Sequence, residues 1–123
     1  MKKTILIIDD YDYMARLLEI FLRVEYDCIR AKNGQEAIDM LKGGTIPDLI
    51  LCDMMMPVMD GEQFLTWIKS NEMFKSIPVF MVTGLANPEA QAKMYDLGAE
   101  GYILKPFNPT VLKAQIRNRL EQQ

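Results

Sequence analysis

The stretch Thr4-Ile5-Leu6-Ile7-Ile8-Asp9-Asp10 is an unbroken apolar run that stops on two acids. A strand with one face in water alternates apolar and polar residues, whereas a strand covered on both faces is apolar throughout. The run from Thr4 to Ile8 therefore predicts a central strand of a parallel sheet. Leu49–Cys52 and Val79–Val82 repeat the pattern, and Asp27–Ala31 and Gly101–Leu104 supply two shorter strand candidates.

Between these runs the apolar period lengthens to that of a helix. Met14, Leu17, Leu18 and Phe21 share one face of a helix expected to end near Glu25. Phe64, Leu65 and Ile68 mark another, reaching about Lys69, and Leu112, Ile116 and Leu120 mark the last. Narrower stripes predict helices at about Gln35–Leu41 and Glu89–Leu97. Asn33 with Glu36, and Asp60 with Gln63, have the spacing of a capping box. Asn87-Pro88 and Asn108-Pro109 set a capping amide before a proline at the first helical position. Gly43-Gly44 and Gly98 can adopt the left-handed conformation that ends a helix.

Strand and helix thus alternate five times. Right-handed crossovers then place helices on both faces of an open, doubly wound α/β sheet. Strand order 2-1-3-4-5 is a common solution at this length, although spacing alone does not fix it.

With 123 residues the chain suits one domain, spanning 1–123. Its net charge of -3 argues against a broad nucleic-acid surface, whose footprint is a basic patch. Lys2 and Lys3, and the Arg117–Arg119 pair, read as solvated positions. Histidine is absent, which excludes a histidine triad or a histidine zinc site. Cys28 and Cys52 each lie in an apolar run and are expected to be buried free thiols. The apolar runs are too short to cross a membrane, so no membrane insertion and a cytoplasmic location are expected.

In an open parallel sheet, sites form beyond the carboxyl ends of the strands. Here those ends carry Asp9-Asp10, Asp53, Thr83-Gly84 and Lys105-Pro106. Three carboxylates in one shallow pocket repel, and Lys105 offsets only part of that repulsion. A hard divalent cation such as Mg²⁺ answers the remainder, because it favours carboxylate and carbonyl oxygens. Asp12 reads differently, as a first-turn acid that stabilises its helix.

Asp9-Asp10, Asp53-Met54-Met55-Met56-Pro57-Val58-Met59-Asp60-Gly61, Thr83-Gly84 and Lys105-Pro106 together resemble the signature set of the two-component response-regulator receiver domain, chemotaxis regulators among them. The resemblance covers nearly the whole chain, in the family's order. It implies a flavodoxin-like fold with strand order 2-1-3-4-5. It implies phosphorylation of Asp53 by a phosphohistidine on a sensor histidine kinase or histidine phosphotransfer protein. Direct Mg²⁺ ligation by Asp10, Asp53 and the Met55 backbone carbonyl is implied too, with Asp9 acting partly through water. Thr83 matches the switch hydroxyl, Lys105 the family's lysine and Tyr102 the aromatic switch position. A cis Lys105-Pro106 bond is expected on the same ground.

The resemblance further implies a signalling switch rather than an enzyme, with slow self-dephosphorylation. Its output surface would be the fourth helix, fifth strand and fifth helix, read by a downstream protein or a fused effector domain, or used in a phosphorylation-dependent dimer. Met55 and Leu85 depart from commoner polar choices and are expected to border the pocket and shield it from water. Tyr11 and Tyr13 flank the acidic loop, Phe21 and Phe64 fit core stripes, and Trp67 fits core or boundary packing, with a partner contact as the alternative. A receiver-like module that signals without phosphorylation is the main rival. A flavodoxin-like cofactor carrier is disfavoured by the acidic first loop, where a phosphate cradle would be basic or glycine-rich. An independent two-carboxylate hydrolase lacks any signal of a deep substrate pocket.

Overall fold

The computed structural model describes residues 2–121. Its elements run β1 (Lys3–Ile8), α1 (Asp12–Leu22), β2 (Tyr26–Ala31), α2 (Gly34–Lys42), β3 (Leu49–Asp53), α3 (Gly61–Lys69), β4 (Val79–Thr83), α4 (Pro88–Asp96), β5 (Gly101–Leu104) and α5 (Pro109–Glu121). The five strands are parallel and lie in the order β2-β1-β3-β4-β5. The expected doubly wound sheet is therefore the architecture found.

Alternation along β1 explains why its sequence is apolar throughout. Ile5 and Ile7 face α1 and α5, in a core shared with Leu18, Leu22, Leu112 and Ile116. Leu6 and Ile8 face the other way, toward Ile38, Leu41, Phe64 and Ile68 of α2 and α3. All four β1 residues are at most 1% exposed, and each such burial contributes about 1.5–3 kcal/mol. A polar residue at any of them would lack water on either face.

The helix starts follow their capping residues. Asp60 and Gln63 form a complete capping box at α3. The Asn33 side chain accepts from the Glu36 N–H, but Glu36 turns its carboxylate to the Lys32 N–H, so only half the box forms at α2. Asn87 and Asn108 each accept two backbone N–H groups at the starts of α4 and α5. Gly44 and Gly98 have positive φ, 101° and 111°.

Several boundaries differ from the sequence reading. Helix α1 ends at Leu22, short of Glu25, because Val24 faces solvent and the chain must turn to bury Tyr26 beside Lys3 in β2. Phe21 is half-buried, packed edge-on against Phe107 with ring centroids 6.1 Å apart. Cys28 is half-buried rather than buried, since β2 is an edge strand, whereas Cys52 is fully enclosed. Phe64 is fully buried, and Trp67 stacks on Phe74 at the boundary, as expected. Strands β3 and β4 run one residue further than their apolar runs. Asp53 is in register with Val82, and Thr83 with Leu104. Both polar groups therefore sit on rigid strand ends and not on loops. Among the described residues no helix is long and apolar enough to cross a membrane.

Candidate functional site

Strand order brings the polar strand ends together, since β1, β3 and β4 are consecutive neighbours. Asp9 continues the ladder beyond β1 through its N–H to the Ala31 carbonyl, 3.1 Å. Asp9 is 2% exposed and Asp53 9%, whereas Asp10 opens to solvent. One carboxylate oxygen from each of Asp9, Asp10 and Asp53 lies within 4.8 Å of the others.

Lys105 reaches this cluster from the loop after β5. Its Nζ is 3.4 Å from Asp53 Oδ1 and 3.6 Å from Asp9 Oδ2. Its own N–H donates to the Thr83 carbonyl at 2.8 Å, and the Lys105-Pro106 bond is cis. Burial pushes the Asp53 carboxyl above the usual range; the Lys105 ammonium opposes that, the Asp9 carboxylate adds to it, and a hydrogen bond from the Met55 backbone lowers it. One ammonium among three carboxylates leaves the pocket with an excess of negative charge. The donors offered are all oxygen, at the end of β3 and just beyond β1, with Asp10 open to water. That set fits a small hard divalent cation and offers nothing to a soft one.

The loop after Asp53 is held closely. The Gly61 N–H donates to the Met54 carbonyl at 2.9 Å, folding the start of α3 back on the strand end. A Cβ at Gly61 would lie 2.3 Å from the Asp53 carbonyl oxygen, so only glycine fits. Val58, at the loop's outer edge, has φ of 71°, unusual for a β-branched residue. Met55 is 74% exposed and Leu85 42%, on the loops that follow Asp53 and Thr83.

Thr83 is buried at the end of β4, and its hydroxyl oxygen accepts the Leu85 N–H at 3.2 Å. Tyr102 is buried as well, and its hydroxyl donates to the Leu85 carbonyl at 2.8 Å. Asp9, Asp10, Asp53 and Lys105 thus form one cluster, and Thr83 and Tyr102 are joined to each other through Leu85. At Met55 the contact with Asp53 is made by the backbone. Asp12 stands apart, in an ion pair with Arg30.

Arg30 escaped the sequence reading. Its Nε and one terminal nitrogen donate to the Asp9 carbonyl at 3.2 and 2.8 Å, steadying the acidic turn from behind. The available signal was a cation near the end of β2, in register with Ile7, two residues before Asp9. The Leu85 backbone was missed because backbone partners leave no trace in residue identity.

The family model described as the response regulator receiver domain matches residues 5–117. Chemotaxis protein CheY of Halobacterium salinarum is 37% identical over 116 residues, covering 93% of this chain and 94% of that protein. A protein described as probable transcriptional regulator ycf27, from Porphyridium aerugineum, is 36% identical over 98% of this chain but only 49% of its own length. The chain thus spans about half, or less, of several longer relatives that it matches. Among solved structures, the signal receiver domain of a signal transduction histidine kinase from Syntrophus aciditrophicus has a TM-score of 0.87 at 34% identity. That match covers 96% of this chain and 89% of the other.

Proposed function

This chain belongs to the response regulator receiver domain family, and on that premise we propose that Asp53 stores the phosphoryl group and that Thr83 and Tyr102 relay its presence. The observation that carries the assignment is the position of Asp53: a carboxylate on a strand end, 3.4 Å from Lys105 Nζ, with two further carboxylates beside it. The receiver acts as a signalling switch and not on a diffusible substrate.

An Asp53 carboxylate oxygen attacks the phosphorus of a phosphohistidine on a sensor histidine kinase or histidine phosphotransfer protein. A P–O bond forms, the P–N bond breaks, and the imidazole leaves with that electron pair and takes up a proton. Transfer of this kind asks chiefly for alignment and charge neutralisation. Lys105, already paired with Asp53, supplies a compact cation to one phosphoryl oxygen. Thr83 donates its hydroxyl to another. Asp10, Asp53 and the Met55 carbonyl would hold Mg²⁺, with Asp9 contributing partly through water. When bound, that ion supplies the positive charge that lets a carboxylate and a phosphoryl group approach.

Movement of Thr83 is coupled to Leu85, because its hydroxyl accepts the Leu85 N–H. Leu85 in turn holds the Tyr102 hydroxyl. A phosphoryl group on Asp53 therefore acts on Tyr102 through one loop residue, shifting the balance between inner and outer ring positions. The surface that changes is α4, β5 and α5, where Tyr95, Leu104 and Val111 are exposed. Its readers are a downstream protein, a fused effector domain or a second copy of the phosphorylated chain. We assign residues 1–123 to a single receiver domain working in the cytoplasm.

The test is intact-protein mass spectrometry after treatment with a small phosphodonor and Mg²⁺. One phosphoryl group is expected on the wild type and none on Asp53→Asn. Equal labelling of the two proteins at the same peptide would refute the assignment, and no labelling of either would favour a module that signals without phosphorylation.

A further inference from the structure

Away from the acidic cluster, a groove of about 500 Å³ runs beside α1 and the end of β2. Arg16, Arg23, Arg30 and Lys32 line it with Asp12 and Glu19, a local charge of +2 on a chain whose net charge is -3. Arg30 is committed to Asp12 and to the Asp9 carbonyl. Among the described residues Arg16, Arg23 and Lys32 have no ion pair, and none of their side chains donates a hydrogen bond. The Asp12 carboxyl is held below its usual range, first by Arg30 and to a smaller extent by Lys32 and Arg16.

The shape of this charge selects among anions. Arg16 lies in α1 and Arg23 is its C-cap, seven residues on and roughly 10 Å along the helix axis. With Arg16 and Arg23 about two helical turns apart, the cations are spread along the groove, which disfavours a single phosphate. The groove is concave, which disfavours a flat bilayer. An extended polypeptide places same-face side chains about 7 Å apart, so two or three acidic residues along one face span that distance. Ile20, 45% exposed on the groove wall, offers an apolar contact between the charges.

We propose that the groove between α1 and β2 is a docking site for an extended acidic segment of a partner protein, with Arg16, Arg23 and Lys32 pairing to its carboxylates. Arg16, Arg23 and Lys32 make no contact with the acidic cluster and take no part in phosphoryl transfer; Arg30 alone joins the groove to it, through the Asp9 carbonyl. Its contribution is to partner choice and encounter rate, which complementary charge governs more strongly than it governs final affinity.

The experiment is fluorescence anisotropy with a labelled peptide of alternating Glu and Thr carrying one central Ile. Saturable binding is expected at low salt, weakening as salt is raised. Arg16→Glu and Arg23→Glu together are expected to weaken it at least tenfold, with Arg16→Gln and Arg23→Gln as milder variants should the reversals unfold the chain. Lys75→Glu, on the far side of the fold, is expected to bind as the wild type does. Labelling of Asp53 by a small phosphodonor is expected to continue in every variant. Absent binding, or equal binding by wild type and groove variants, overturns the proposal. Tighter binding of a single-stranded oligonucleotide or of anionic phosphatidylserine vesicles than of the peptide overturns it in favour of that other class.

Discussion

The Tyr102 hydroxyl donates to the Leu85 carbonyl at 2.8 Å, and the N–H of that same Leu85 is accepted by the Thr83 hydroxyl. One loop residue therefore holds both ends of the proposed relay. Tyr102→Phe removes the hydroxyl and keeps the ring. A neutral hydrogen bond contributes about 1 kcal/mol, so urea unfolding is expected to show a loss of that size. Amide exchange at residues 84–87 is expected to quicken at the same time. A variant with unchanged exchange in that loop would show that the Tyr102 hydroxyl does not restrain it.

Asp53→Asn is expected to stabilise the metal-free protein by about 1 kcal/mol, because it removes one of three crowded carboxylates. The sign follows from burial raising the Asp53 carboxyl in the folded state. The folded protein then holds a proton more tightly than the unfolded chain does. Its stability falls as pH rises from the ordinary aspartate range through the raised folded value. Denaturant titrations across the acid range, without Mg²⁺, are expected to show that fall in the wild type and less of it in the variant. Added Mg²⁺ is expected to raise the melting temperature of the wild type far more than that of Asp53→Asn. A variant less stable than the wild type without metal would contradict the account.

Much of the fold was legible because burial on both faces leaves a plain mark. Ile5 to Ile8 could be nothing but central, and Asp60 with Gln63 announced the start of α3. The acidic cluster was legible for a related reason, since a run of apolar residues that ends on an acid aims that acid at the sheet's end. What stayed hidden depends on partners distant in sequence. Arg30 meets the Asp9 carbonyl only because β1 and β2 are neighbours in register. Cys28 belongs to an apolar run yet lies on an edge strand, and run composition does not reveal an edge. The early end of α1 follows from where Tyr26 must be buried, not from any breaker in the helix.

Backbone geometry around the Asp53 loop predicts two opposite effects on stability. Gly61→Ala would set a methyl group 2.3 Å from the Asp53 carbonyl oxygen and 2.8 Å from Met54 Cα, both backbone atoms that cannot turn aside. A loss of about 3 kcal/mol is expected in urea unfolding. Val58→Gly relieves a β-branched residue at φ 71° whose side chain is 79% exposed. The relief exceeds the added entropy of the unfolded chain, and a gain of about 0.5–1 kcal/mol is expected. A destabilised Val58→Gly would mean that the loop holds that conformation without strain.

The apolar residues that follow Asp53 and Thr83 at two positions' remove make a kinetic prediction about the phosphorylated state. Met55 stands two residues beyond Asp53 and Leu85 two beyond Thr83, on the loops that follow β3 and β4, and both are exposed. Hydrolysis of an acyl phosphate needs a water held for in-line attack on phosphorus. Neither a thioether nor an isobutyl group offers that water a strong acceptor or a charge. Met55→Asn and Leu85→Glu would each place a hydrogen-bonding group there, and a positioned group of that kind speeds attack. Phosphate release, followed after the donor is removed, is expected to be several-fold faster in each variant and faster still in the pair. Because both side chains are exposed, melting temperatures are expected to change little, which separates an effect on water from an effect on folding. Rates equal to the wild type's in all three proteins would show that these two positions do not control the lifetime of the phosphorylated state.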